Sequence, residues 1–101
     1  MKRIVVLGGG ESGYGSAVLA KSKGFDVFLS DCAAIQDLYK VKLKKWDIAF
    51  EEGGHTFDLI LNADDVITSP GLPEQAEVIR KARDNVIPVI AALEFAGRYN
   101  T

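Results

Sequence analysis

The sequence holds one cysteine, one histidine, one tryptophan and one methionine in 101 residues, and the scarcity of the first two closes several routes of chemistry. Cys32 alone makes no internal disulfide, which suits a reducing, cytoplasmic setting, and no neighbouring base marks it as a nucleophile. His55 has no Cys or His at metal-ligand spacing, so no metal site is expected. With that single histidine in a loop, neither a Ser/His/acid set nor a Cys/His pair can be assembled from the sequence. No apolar run approaches the roughly 20 residues of a membrane helix, and Lys2 and Arg3 lead straight into a short strand rather than a signal peptide. A G-x-x-x-x-G-K-[ST] loop for ATP is missing as well. Basic surplus is also absent: 12 Lys and Arg against 14 Asp and Glu give a net charge of −2, which argues against a nucleic-acid partner. The local run Lys40, Lys42, Lys44 and Lys45 reads as a solvated helix face. These absences leave a chain with no membrane or nucleic-acid partner and no expected catalysis of its own.

What is present is the alternation of an α/β protein. With 48% hydrophobic and 26% charged residues, the chain has the composition of one globular domain over residues 1–101. Strand-like runs at Arg3–Leu7, Val27–Ser30, Ile48–Phe50, Val66–Thr68 and Pro88–Ile90 alternate with helical patterns. The helices are expected from about Gly13 to Lys23, Ile35 to Lys44, Thr56 (as N-cap) to Leu61, Glu74 to Asp84 and Leu93 to Tyr99, with Gly24 stopping the first. The pattern predicts a Rossmann-like parallel sheet of about five strands with helices on both faces.

The most informative stretch is Ile4-Val5-Val6-Leu7-Gly8-Gly9-Gly10-Glu11-Ser12-Gly13. Gly8, Gly10 and Gly13 fit G-x-G-x-x-G between a strand and a helix, a spacing that turns the chain tightly and aims helical N–H groups at a phosphate. The alternative is a structural turn that packs helix on strand. Glu11 is expected to face solvent, and Ser12 either donates to a phosphate or caps the helix. Valine at Gly10 would fill the space of a diphosphate and would demand backbone angles it avoids. Asp31 follows Gly13 by 18 residues, near the position where an acidic group reads a ribose or, alternatively, turns the next loop. Ser69-Pro70-Gly71 ends another strand. All three segments fall at the carboxyl ends of strands, where such sheets bind ligands.

Together with Leu29-Ser30-Asp31, Glu51-Glu52-Gly53-Gly54-His55, Ile67-Thr68-Ser69-Pro70-Gly71-Leu72-Pro73 and Leu93-Glu94-Phe95-Ala96, the glycine loop resembles the Mur ligase family, nearest its D-glutamate-adding members. The resemblance runs across essentially the whole chain. It implies the N-terminal domain of a three-domain, ATP-dependent ligase of peptidoglycan synthesis. That domain would hold a UDP-linked muramoyl-alanine substrate and would be inactive in isolation. ATP and Mg would belong to a central domain, so no cofactor is expected on this chain; its partners would be that substrate and the remaining ligase domains. By the same resemblance Gly10, Glu11, Ser12 and Gly13 would receive the diphosphate, Asp31 and Cys32 would meet the uracil, and Ser69 and Gly71 would complete the substrate site. A small NAD-binding or sensing module explains the glycine loop and Asp31 but not Ser69-Pro70-Gly71. A scaffold that keeps the fold without a ligand stays open too.

Overall fold

The computed structural model describes residues 2–70 and 76–99. Its elements are β1 (Arg3–Leu7), α1 (Glu11–Ser22), β2 (Asp26–Ser30), α2 (Asp37–Lys45), β3 (Ala49–Glu51), α3 (Phe57–Ile60), β4 (Asp65–Thr68), α4 (Glu77–Asp84), β5 (Val89–Ala91) and α5 (Ala92–Tyr99). The five strands form one parallel sheet in the order β3-β2-β1-β4-β5. The chain winds outward from β1 through β2 to β3, then crosses back to β4 and continues to β5. The direction of winding therefore reverses between β1 and β4, which opens a crevice at the carboxyl ends of those strands.

Alternation along β1 divides the core. Ile4 and Val6 join Val27, Leu29, Ile67 and Ile90 under α1, α2 and α5, where Ala17, Ala20, Leu43 and Phe95 are buried. Val5 and Leu7 turn to the opposite face with Phe28 and Val66, against Ile60 of α3 and Val78, Ile79 and Ala82 of α4. A sheet buried on both faces needs apolar side chains in both directions, which is why these strands read as continuous hydrophobic runs.

Three helices stop in the same way. Gly24, Asp47 and Val86 follow the C-caps of α1, α2 and α4 with φ of +87°, +58° and +57°. The next residues, Phe25, Ile48 and Ile87, donate back to the carbonyls of Ala20, Leu43 and Ala82, completing Schellman closures. Each closure turns an apolar residue inward and launches the following strand. The sequence shows only the first, because Asp47 and Val86 do not announce a left-handed backbone as glycine does.

Other boundaries move for local reasons. Helix α1 begins at Glu11 rather than Gly13, because extended Gly10 is its N-cap. Helix α2 begins at Asp37 rather than Ile35, which precedes it, buried in the turn, and Leu38 in its first turn is 57% exposed. Thr56 stands at the N-cap of α3 but makes no side-chain cap bond, since Glu51 takes its hydroxyl. The expected start of α4 at Glu74 lies outside the described residues.

Candidate functional site

Register brings the expected segments together. Leu7 pairs with Ser30 on one side and Thr68 on the other, so Gly8, Asp31 and Ser69 leave the sheet at one level, across the switch point. A cavity of about 420 Å³ opens among Gly8–Gly13, Asp31, Cys32, Ser69 and Pro70. Gly71, expected to complete it, lies outside the described residues.

The loop glycines have separate reasons. Gly8 has φ +105°, and a Cβ there would lie 2.7 Å from the Ser69 hydroxyl, which itself donates to the Leu7 carbonyl. A Cβ on Gly13 would overlap the Gly8 carbonyl, so helix and loop pack backbone against backbone. Gly9, outside the motif spacing, would bring a Cβ to 2.7 Å from Ile35 Cγ1. At Gly10 a Cβ meets nothing within 4 Å. The backbone there has φ −79° and ψ −166°, open to any residue, so the expectation of forbidden angles for valine is corrected. Protein packing accounts for three of these glycines, and the fourth stands where the cavity opens.

Helix α1 presents its first turn to that cavity without a side-chain cap. The amides of Glu11, Ser12 and Gly13 precede the first intrahelical donor, Tyr14, which bonds the Gly10 carbonyl. Ser12 lies inside the helix, so capping is not its role. Its side chain and that of Glu11 are exposed at the rim. An uncapped helical N-terminus with positive dipole character accepts an anion through backbone donors.

Asp31 is committed to the loop. One carboxylate oxygen accepts from the Gly9 amide at 2.8 Å and the other from the Ala33 amide at 2.9 Å. It ties the glycine turn to the β2–α2 turn, which is the loop-turning alternative raised above, and each oxygen keeps a further lone pair. Cys32 beside it is exposed and free.

A second polar cluster borders the first. Gly53 and Gly54 donate to the carbonyls of Ala33 and Asp31, strapping the loop after β3 onto the β2–α2 turn. Glu52 reinforces the strap by accepting from the Ile35 amide at 2.8 Å and from Lys40 Nζ at 3.0 Å. The Ile35 bond, then Lys40, holds the Glu52 carboxyl below its ordinary value. Beneath the strap, buried Ser30 places its hydroxyl 2.8 Å from Glu51 Oε2 and 2.7 Å from His55 Nδ1. Glu51 also accepts from the amide and hydroxyl of Thr56. Burial pushes the Glu51 carboxyl up, but the Thr56 donors, Ser30 and His55 outweigh it and hold it below its ordinary value.

A serine, a histidine and an acid thus do meet, against the sequence reading. Residues 21 to 25 positions apart carry no local signal of such a cluster. Serine rather than histidine stands in the middle, however, and it is fully buried, so the cluster is not a hydrolytic triad. Among the described residues no group of three His, Cys, Asp or Glu side chains is placed to hold a metal ion. Beyond Glu11, Ser12 and Pro70, a groove of about 690 Å³ runs between α1 and α5 past Leu19, Leu93 and Ala96.

The sheet order and the glycine turn at its switch point define a Rossmann-like module. Residues 3–78 match the family model of the MurD N-terminal domain, and the chain belongs to that family. The UDP-N-acetylmuramoylalanine–D-glutamate ligase of Bacteroides thetaiotaomicron is 61% identical over 99 residues, covering 98% of this chain and 22% of the relative. That of Porphyromonas gingivalis strain ATCC 33277 is 51% identical over 96 residues, covering 95% and 21%. The chain spans about a fifth of the length of these curated relatives. Among solved structures, a pseudomurein peptide ligase type C from Methanothermus fervidus matches with a TM-score of 0.84 at 33% identity, over 99% of this chain and 21% of that one. A murein peptide ligase from Psychrobacter arcticus matches in fold with a TM-score of 0.85 at 23% identity, over 97% and 20%. No helix among the described residues is long and apolar enough to cross a membrane.

Proposed function

We propose that this chain is the substrate-holding N-terminal domain of a cytoplasmic, ATP-dependent ligase that adds D-glutamate to UDP-N-acetylmuramoyl-L-alanine, and that it is inactive alone. Its one observed feature that carries the reading is the uncapped first turn of α1, opening at Gly10 into the switch-point cavity. The amides from Gly10 to Gly13 receive the diphosphate. Asp31 and Cys32 meet the uridine, Ser69 and Gly71 contact the substrate, and the groove along α1 and α5 takes the sugar-peptide end. ATP and Mg act in the remaining domains of the ligase, which enclose that end and supply the chemistry.

The test is an NMR titration. UDP and UDP-N-acetylmuramoyl-L-alanine are expected to shift the amides of Gly8–Gly13, Asp31–Ala33, Ser69 and Gly71 together, with a Kd between about 10 μM and 1 mM, roughly −4 to −7 kcal/mol. NAD shifts the first group at most. Saturation by NAD below the concentration needed for UDP would replace this reading with a dinucleotide module, and silence with every ligand would leave only the fold.

A further inference from the structure

Helix α2 buries Leu43 in the core, and its outer side is not the plain solvated face that its lysines suggest. Leu38, Val41 (66% exposed) and the C-cap Trp46 make up half of the six large hydrophobic side chains exposed among the described residues. Helical spacing sets Leu38, Val41, Lys42 and Lys45 on adjoining rows, so apolar and basic groups share one face. The charges on that face are left over. Lys40 is held by Glu52 at 3.0 Å and by Asp37 at 3.4 Å, whereas no carboxylate forms an ion pair with Lys42, Lys44 or Lys45 among the described residues. A helix C-terminus favours lysines in its last turn, which accounts for their charge. It does not account for the exposed apolar side chains among them, and a polar-rimmed apolar patch marks a contact surface.

This face continues into a concavity of about 440 Å³ between α1 and α2, lined by Tyr14, Lys42, Lys45 and Trp46. Tyr14 is fixed there: its ring centroid lies 5.6 Å from that of Tyr39 and 5.4 Å from Lys42 Nζ. None of the four residues borders the switch-point cavity, so this face is separate from the nucleotide site proposed above. Two aromatic rings and two ammonium groups around one recess suit a flat apolar side chain flanked by carboxylates. We propose that this face docks an acidic protein segment carrying an aromatic side chain. The ring enters the recess against Tyr14 and Trp46, neighbouring carboxylates pair with Lys42 and Lys45, and the rest of the segment lies along Leu38 and Val41. The recess decides between a protein and an anionic membrane, since a lipid surface has no side chain to insert.

Trp46 is the only tryptophan in the chain, so its emission reports this site directly. The experiment titrates the chain with a random glutamate–tyrosine copolymer, with poly-glutamate and with phosphatidylglycerol vesicles, exciting tryptophan alone. The copolymer is expected to shift the emission to the blue and to bind about fivefold more tightly than poly-glutamate, the worth of an aromatic contact. Both polymers should weaken as salt is raised. Lys42→Gln with Lys45→Gln should weaken the copolymer about two- to fivefold for each lysine. Arg80→Gln with Lys81→Gln, an equal loss of charge on α4 across the sheet, should weaken it less than about twofold. Equal affinity for the two polymers, equal losses in the two double variants, or no response of Trp46 to either polymer overturns the assignment. A response to the vesicles alone overturns it too and makes the face a membrane contact.

Discussion

Replacing Gly13 by alanine adds one methyl group, and the structure leaves no room for it. The new Cβ would overlap the Gly8 carbonyl oxygen, lie 2.7 Å from the carbonyl carbon and 3.2 Å from the Ser69 hydroxyl. The first two are backbone atoms of a residue with φ +105°, packed at the end of the central strand, so they cannot swing aside as a side-chain tip would. Helix α1 must slide away from β1, loosening Ala17 and Ala20 over the sheet. Overpacking of this kind costs about 1–3 kcal/mol, and a backbone collision belongs at the upper end. For a domain this size about 3 kcal/mol lowers Tm by roughly 12–24 °C. Thermal melts followed by circular dichroism, with urea unfolding as a second measure, read the loss. Gly10→Ala is the internal control, since its Cβ meets nothing and its backbone suits any residue; it should melt within about 3 °C of wild type. A Gly13→Ala protein as stable as that control would refute the claim that backbone packing requires this glycine.

Gly10→Val is expected to retain the wild-type melt and lose UDP and pyrophosphate shifts, because its branched side chain enters the cavity rather than the core; retained pyrophosphate binding would move the anion site elsewhere. Val86 is 88% exposed with φ +57°, a left-handed conformation that costs a branched residue about 1–2 kcal/mol, so Val86→Gly should raise stability by roughly 0.5–1 kcal/mol in urea unfolding. Glu51 has its folded-state pKa lowered, so its contribution is present above the unfolded value of 4.5 and is lost as pH falls through the folded one. Glu51→Gln should therefore be the less stable protein near neutrality, with a shallower loss of stability below about pH 4.5. Incubation of this chain with ATP, UDP-N-acetylmuramoyl-L-alanine and D-glutamate should release no phosphate; release by a preparation free of longer ligase would give this chain a catalytic role.

Local sequence determined what depends on spacing. Runs such as Ile4–Leu7 and Val27–Leu29, apolar at every position, suit strands covered on both faces, and their alternation with helical segments gave a parallel sheet. Gly8 and Gly13 marked the loop, since a positive φ and a backbone contact both demand a missing Cβ. Tertiary structure alone decided the rest, because its causes lie far apart in the chain. Strand order is set by crossover paths and side-chain packing, and it put the reversal between β1 and β4. Gly9 is required by Ile35, which is 26 residues away and visible only once α2 is docked. Thr56 left its helix cap because Glu51, brought up by β3, is a charged acceptor and binds its hydroxyl at 2.6 Å. Ser30, His55 and Glu51 came together because β2 and β3 pair in register, Ser30 opposite Glu51, under a loop strapped to the neighbouring turn. A periodicity describes how a segment presents its own faces; which residue of another segment meets each face is settled only when the sheet closes.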